Sequence, residues 1–288
     1  MLMKQKRFNL FSIPQSSAYG DGQRRSMPMS GCGPRLAIAA LFVAFALFKY
    51  FSLPSEVNKF TGREQKLNLN ENEEIQMGLA SAPKMAQMHG GLSPDVEARA
   101  LVKKVGQRLV KATNADETPY QYDFHLLADR KTVNAFALPG GQVFITEALF
   151  RMLKTEDELA GVLGHEIGHV VGRHSSEQIA KSNLLGGLTT AAVIATSSDQ
   201  GNNGSVQLAN LVNQLVSTKY GRADEIESDK LGVRFLHESG YNPEALIRVM
   251  EVLKQASGGG GGPEFMSTHP SPENRIQLIQ EEIAKLKR

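Results

Sequence analysis

Two histidines and a glutamate form the one short motif in this sequence that specifies a chemistry. His165, Glu166 and His169 read H-E-x-x-H. On an α-helix, residues i and i+4 lie one above the other on the same face, so both imidazoles face a single metal ion. The glutamate beside the first histidine then lies near the metal's open coordination position. This spacing is typical of a zinc hydrolase whose glutamate acts as general base.

The residues around the motif predict that it lies inside a helix. Thr155 and Glu158 form a capping box of the S/T-x-x-E kind, so the helix is predicted to begin near Thr155. An ordinary helix with two hydrogen-bonded histidines and an exposed glutamate is the alternative interpretation. Apolar residues recur at helical spacing through the motif and favour the first interpretation; they are Leu159, Val162, Leu163, Ile167 and Val170.

Composition limits both the size of the protein and the ligands available to a metal. The 288 residues are enough for one large domain or two small ones. The net charge of +2 gives no global basic field, so nucleic acid is not an expected partner. Cys32 is the only cysteine, which excludes an internal disulfide and a cysteine-rich zinc site. Histidine and carboxylate must therefore hold any metal.

An apolar segment near the N-terminus predicts a membrane anchor. Residues 36–48 are thirteen apolar residues in a row, and the segment extends to residue 53 if Lys49 snorkels. A buried core helix is the alternative, because apolar segments of this length often are one. Six basic residues and one acidic residue precede the segment in a polar tail, residues 1–35. The positive-inside rule then places the N-terminus in the cytoplasm and the rest on the extracytoplasmic, or periplasmic, side.

The remaining chain is predicted as an α+β domain over residues 71–288, joined to the anchor by a linker at 54–70. Helices alternate with three short strands, so the domain is mostly helical with a small β-sheet. Residues 184–195 are apolar but too short to span a membrane, which favours a core or lid-forming helix. Helices are predicted near 71–90, 93–112, 206–218, 223–239, 243–256 and from Ser271-Pro272 onwards; strands at 120–127, 133–137 and 142–146; a turn at 139–141; and flexible loops at 197–205 and 258–262.

A catalytic zinc site needs a third protein ligand, and Glu225 is the best candidate. Glu225 and Asp229 have helical i, i+4 spacing, so one can ligate the metal while the other accepts a hydrogen bond from a ligand histidine. Glu227 points elsewhere on the same helix. A solvated, acidic helix start explains these carboxylates equally well when they are considered alone.

Together these motifs resemble metallopeptidase family forty-eight, which includes the HtpX-like, Ste-type and Oma-type proteases. The resemblance rests first on His165-Glu166-x-x-His169 followed by Glu225-x-x-x-Asp229. Residues 134–141, Arg222 before the glutamate, and the Thr-His-Pro-Ser-Pro segment at 268–272 also match the family's pattern. The resemblance covers roughly residues 70–288.

The resemblance implies a gluzincin fold with one Zn²⁺ per chain. Its ligands would be His165, His169 and Glu225, with Glu166 as the base and Asp229 as hydrogen-bond partner of a ligand histidine. His269 and Arg275 would lie near the active site, helping to bind substrate or to stabilise the oxyanion. A peptide is expected to lie extended along an edge strand at 133–137 or 142–146; the residues chosen as the substrate strand are Asn134, Ala135, Phe136 and Ala137.

These expectations define a membrane-anchored zinc endopeptidase that acts on polypeptides. The single anchor is similar to the small exported branch of the family, which implies hydrolysis of unfolded or misassembled envelope proteins. Two alternatives stay open. One is a membrane-tethered chaperone or assembly factor with a latent zinc site. The other is an organellar Oma-type stress protease with one anchor.

Overall fold

The computed structural model describes residues 32–196, 219–256, 264–270 and 274–287, without side chains at 32–35 and 190–196. The predicted helix near 206–218, the loops at 197–205 and 258–262, most of the N-terminal tail, and Ser271-Pro272 lie outside the described residues.

The described domain is mostly helical with small sheets, as predicted. Its helices are α1 (Cys32–Phe51), α2 (Glu71–Met88), α3 (Val96–Lys111), α4 (Glu147–Phe150), α5 (Glu156–Val171), α6 (His174–Thr196), α7 (Arg222–Glu238), α8 (Ala245–Ala256), α9 (Glu264–Thr268) and α10 (Arg275–Leu286), with a 3₁₀ turn at Asn114–Glu117. Its strands are β1 (Ser55–Val57), β2 (Glu64–Lys66), β3 (Asp123–Leu127), β4 (Ala135–Ala137) and β5 (Gln142–Thr146).

The larger sheet has the order β3-β5-β4, with β3 parallel and β4 antiparallel to β5. All five residues of β5 are buried, as expected for a central strand. The alternative prediction that residues 142–146 form a substrate-binding edge is therefore wrong, because both edges of β5 are already paired. Within this sheet β4 is an edge strand, which leaves residues 134–137 as the predicted substrate strand.

Two glycines shape the turn that joins β4 to β5. Gly140 has φ +79° and Gly141 has φ +106°, a region that favours glycine. A Cβ on Gly140 would lie 2.4 Å from the Cα of Ile75 in α2. The predicted turn at 139–141 is confirmed, and it packs directly on the helix that precedes the sheet.

Helix α5 is the central helix of the domain. Thr155 is its N-cap, and its side chain accepts a hydrogen bond from the backbone N–H of Glu158. Every residue from Glu158 to Val171 is buried, because α3, α7, α8 and the sheet pack around the helix. The predicted helix start at Thr155 is confirmed.

Helices α5 and α7 approach each other closely because glycines line their contact. A Cβ on Gly168 would lie 3.0 Å from Cα and the carbonyl oxygen of Ser228. A Cβ on Gly232 would lie 3.3 Å from the backbone nitrogen of His165. This spacing holds the first turns of α7 against the histidine face of α5.

The segment predicted as a linker, residues 54–70, is folded onto the domain. Strands β1 and β2 form an antiparallel hairpin. The side chains of Asn58 and Gln65 donate hydrogen bonds to the carbonyls of Val171 (2.9 Å) and Gly172 (2.7 Å). The hairpin is therefore attached to the C-terminal end of α5.

The two apolar segments pack against each other. Residues 36–51 lie in α1, and residues 184–195 form the second half of α6, which runs along α1. Residues 184–189 are intermediate or exposed, with Leu185 61% exposed, so this part of the segment predicted as a core or lid-forming helix does not lie in the core. Within the part of the chain that the structure describes, no helix has both the length and the apolar character needed to cross a membrane.

Candidate active site

Helix α5 presents both histidines of the motif to one point. His165 and His169 are buried, and their Nε2 atoms lie 3.1 Å apart, as the i, i+4 spacing predicts. The apolar remainder of the helix surface packs into the core, which fixes the direction of this histidine face.

Helix α7 brings Glu225 to the same point. Its Oε1 lies 3.4 Å from Nε2 of His169, and its Oε2 lies 3.5 Å from Nε2 of His165. Asp224 fixes the start of the helix by accepting a hydrogen bond from the backbone N–H of Gly221. Glu225 therefore stands in a first turn whose position is set locally and by the glycine-lined contact with α5.

His269, at the end of α9, lies within the same group. Its Nδ1 is 3.3 Å from Nε2 of His165 and 3.1 Å from Oε1 of Glu225. Its ring stacks on Phe265 with the ring centroids 4.3 Å apart. The four residues each offer one ligand atom, and all four atoms lie within 4.8 Å of one another. Sequence reasoning placed His269 near the site but did not predict it among the candidate ligands.

The spacing of these atoms fits a small metal ion. The contacts that link the four residues are 3.1–3.5 Å long. A tetrahedral ion with bonds of about 2.1 Å separates its ligand atoms by about 3.4 Å. Three imidazoles and a carboxylate, buried together, form a set of ligands that suits such a cation.

Asp229 and Arg275 contact the candidate ligands His165 and Glu225 and fix their orientation. Oδ1 of Asp229 lies 3.0 Å from Nδ1 of His165, so the ring can donate there and keep Nε2 free for the metal. Arg275 donates to both oxygens of Asp229, at 2.5 and 2.9 Å, and its Nη1 lies 3.0 Å from Oε2 of Glu225. Asp229 thus lies where it was predicted. The guanidinium of Arg275 faces these carboxylates, so its geometry supports a positioning role better than contact with an oxyanion.

A second chain of contacts supports His169, and sequence reasoning missed most of it. Nδ1 of His169 lies 2.9 Å from Nδ1 of His174, whose Nε2 lies 2.7 Å from Glu227. Tyr220 stacks on His169 with the ring centroids 3.9 Å apart. Glu227 and Tyr220 carry no local signal for this role, because only the tertiary fold brings them there.

Glu166 is buried beside this group and differs from the other carboxylates. Neither of its oxygens has a hydrogen-bond partner among the described residues. Oε1 lies 3.7 Å from Nε2 of His269. Burial raises the pKa of Glu166 above its usual value, although the neighbouring imidazoles oppose the shift. A carboxylate in this state accepts a proton more readily than an exposed one.

The charged groups around Glu225 favour its ionised form. Burial alone would raise the pKa of Glu225, but the three surrounding imidazoles outweigh it and hold that pKa well below its usual value. Burial lowers the pKa of His165, but Asp229 and Glu225 outweigh it and raise that pKa to about 9. Metal binding at His165 therefore has to displace a proton.

The predicted substrate strand lies next to this site and is covered. Ala135 has no exposed surface, and Ala137 is also buried. Helix α9 contacts the beginning of the strand. The backbone N–H of Phe265 donates to the carbonyl of Val133, and Asn134 donates to the carboxylate of Glu264. One segment thus carries His269 to the metal-ligand group and lies against the strand.

An H-E-x-x-H helix, a glutamate from a following helix and a small sheet beside them define a zincin-type metallopeptidase domain. Residues 97–283 match the family model described as Peptidase family M48. The chain belongs to this family, which confirms the family that its motifs predicted. The predicted class of enzyme, a metalloendopeptidase, is confirmed at the level of the family.

Curated relatives share this domain, and the chain spans only about a third to a half of the length of the first two described here. The beta-barrel assembly-enhancing protease of Escherichia coli (strain K12) is 33% identical over 187 residues, which are 61% of this chain and 37% of that protein. The mitochondrial metalloendopeptidase OMA1 of Schizosaccharomyces pombe is 35% identical over 62% of this chain and 51% of its own length. The metalloprotease YcaL of Escherichia coli is 32% identical over 63% of this chain and 71% of its own length.

Proposed function

We propose that this protein is a zinc endopeptidase. The observation that carries the proposal is the meeting of His165, His169 and Glu225 beside Glu166, a buried carboxylate that no described residue hydrogen-bonds. A structural metal site has no need of such a group, whereas peptide hydrolysis requires a base.

Each residue of the site has its own role in the proposed hydrolysis. Zinc held by the two histidines of α5 and by Glu225 would polarise the scissile carbonyl and acidify a water molecule. Glu166 accepts the proton of the attacking water and delivers it to the leaving amine nitrogen. Asp229 and His174 fix the ring orientations of the two α5 histidines, and Arg275 holds Glu225 and Asp229 in place.

The described conformation is a closed form of this site. A catalytic zinc keeps one coordination position open for water, but His269 supplies a fourth ligand atom here. The same segment is hydrogen-bonded to Val133 and Asn134, immediately before β4, which is the edge strand proposed to bind an extended peptide by backbone hydrogen bonds. Substrate entry therefore requires α9 and His269 to move together.

The proposed substrates are unfolded or misassembled proteins of the cell envelope. Backbone recognition by an edge strand is independent of sequence, which suits quality control. The printed name of the Escherichia coli relative refers to beta-barrel assembly, in agreement with this role. We place residues 36–53 in the membrane, the N-terminus in the cytoplasm and the catalytic domain on the extracytoplasmic side. The similarity to a mitochondrial relative keeps an organellar stress protease as the alternative location.

Glu166→Gln and Glu225→Ala test the proposal in the full-length protein. Glu166→Gln is expected to keep one zinc per chain and to lose casein cleavage by at least about a hundredfold, because the base is absent. Glu225→Ala is expected to lose most of the metal. Zinc content is measured by atomic absorption and proteolysis with labelled casein, with Glu251→Gln on the exposed face of α8 as the matched control.

Full casein cleavage by Glu166→Gln would contradict the assignment of the base, and a zinc-replete Glu225→Ala would contradict the assignment of the ligand. The closed site also supports a second function, a tethered chaperone with a latent metal. That function predicts that wild type and Glu166→Gln bind unfolded clients equally and that neither cleaves them.

A further inference from the structure

Helix α1 exposes large apolar side chains on every side except the face that packs on α6. Leu41, Phe45 and Phe48 are 69%, 64% and 70% exposed on one face, and Phe42 and Phe51, which are 43% and 66% exposed, lie on opposite sides of the helix. Removal of such side chains from water is energetically favourable. A partner protein covers one face of a helix, whereas a lipid environment covers all faces. The distribution of apolar residues on α1 is therefore that of a helix in lipid.

The contact between α1 and α6 is made by small residues. Ala39 and Ala46 are the buried apolar residues of α1, and a Cβ placed on Gly187 of α6 would lie 2.8 Å from the Cβ of Ala46. Large side chains point away from the pair: Leu185 of α6 is 61% exposed. In water, helices pack their large apolar residues inward. Small residues inside and large ones outside are typical of helices that associate in a bilayer.

Polar and aromatic groups lie where the pair meets the domain. Lys66 donates to the carbonyl of Phe51 at 3.1 Å, and its Nζ lies 5.9 Å from the ring centroid of Tyr50. Lys49 is at the same end of α1. Cations and amphipathic aromatic rings concentrate at membrane–water interfaces. Tyr50 and Leu184 line one cleft between the helices, so the two helices reach this boundary at the same level.

The beginning of α6 belongs to the active site. His174 is in contact with His169, and Ile179 and Ala180 are buried in the domain. From Asn183 onwards the helix leaves the domain beside α1. Leu184 is ten positions after His174, which is about 15 Å along a helix axis.

We propose that α6 from Leu184 onwards enters the lipid bilayer beside α1. The partner of this surface is a phospholipid bilayer, and α6 is a rigid connection between it and the metal site. With the helix axis along the membrane normal, the site stands about 15 Å above the bilayer surface. The inference rests on the proposed membrane attachment through 36–53 and adds a second embedded segment to it.

Site-specific fluorescence quenching tests this in the full-length protein. Cys32 is the only cysteine, so Cys32→Ser gives a background for single cysteines at Leu41, Leu185 and Val96. Val96 is an exposed apolar residue of α3 and serves as the matched control on the catalytic domain. Each protein is labelled with an environment-sensitive dye and reconstituted into phosphatidylcholine–phosphatidylglycerol vesicles. Doxyl-labelled lipid quenches dyes in the bilayer, and iodide quenches dyes in water.

Lipid quenching several-fold stronger at 185 than at 96, with iodide protection, is the expected result. If the label at 41 lies in lipid and the label at 185 lies in water, the role of α6 is overturned. The attachment by α1 is still supported by that result. If iodide quenches the labels at 41 and at 185, the role of α6 and the membrane attachment by α1 are both overturned. The labels could instead be protected from iodide and insensitive to doxyl lipid, in a protein that chemical cross-linking shows to be dimeric. That result would mean that a second copy of the protein covers α1 and α6. Retained zinc content and an unchanged thermal unfolding midpoint show that each variant is folded.

Discussion

At the scale of single residues, His269 decides whether the metal group is open or closed. His165, His169 and Glu225 come from two long helices packed at their backbones, whereas His269 follows the five-residue helix α9. The first three are therefore held more firmly than the fourth. A site with three fixed ligands and one displaceable ligand can bind metal in both states.

His269→Ala is expected to retain zinc and to cleave casein several-fold faster than wild type, because the fourth coordination position becomes free for water. Zinc content and initial rates of casein cleavage are measured on the same preparations. His237→Ala, on the exposed face of α7, controls for the loss of an imidazole. Loss of cleavage with zinc retained would contradict the closed form, and would favour the role in substrate or oxyanion binding predicted from the sequence.

The residues of this site differ in how far the sequence could reveal them. His165, Glu166 and His169 lie within five positions of one helix, so their spacing alone places them together. Glu225 and Asp229 required the family resemblance, because an acidic helix start is also an ordinary surface feature. Tyr220 could not be predicted, since its stacking on His169 depends on the packing of α7 against α5.

At the scale of elements, the glycines between α5 and α7 set the distance between the motif and its third ligand. Gly168→Ala would place a methyl group 3.0 Å from two backbone atoms of Ser228, three residues beyond Glu225. The helices must move apart by a few tenths of an ångström. We expect a lower free energy of unfolding and weaker zinc binding, measured by thermal unfolding and by competition with a chromophoric chelator.

Gly164→Ala, one turn earlier on the same helix, is the matched control. Its methyl group would make ordinary contact, 3.6 Å from the carbonyl oxygen of Gly232. Since alanine is favoured over glycine inside a helix by about 1 kcal/mol, this variant should be neutral or more stable. Equal zinc affinities in the two variants would show that the separation of α5 and α7 does not control the site.

The same contrast between local and tertiary information applies to the fold. Strand β5 forms at residues 142–146 as predicted, because alternation and the glycine turn are local signals. Its parallel pairing with β3 could not be read from the sequence. Helix α6 was recognised only over its apolar second half, because its first turns contact the active site and carry polar residues such as His174 and Glu177.

At the scale of the whole molecule, the proposed membrane attachment and the site geometry together predict that substrates are selected by position. In the proposed attached form, the bilayer would fix the height of the site, and a substrate in the same bilayer would meet it at a local concentration that a soluble chain does not reach. Specificity then arises from where a polypeptide lies more than from its sequence, which agrees with backbone recognition by β4.

A peptide tethered to vesicles is therefore expected to be cleaved faster than the same peptide in solution, once its linker reaches the site. Extended chain covers about 3.3 Å per residue, so a height of about 15 Å requires about five linker residues. Cleavage of lipid-linked peptides with linkers of two to twelve residues is followed by mass spectrometry on vesicles that contain the protein. The rate should rise steeply near five residues and decline slowly beyond that as the effective concentration falls. The Glu166→Gln protein measures background cleavage. A rate that is independent of linker length, and equal to that of the free peptide, would mean that the bilayer does not position substrates and that the height of the site has no part in their selection.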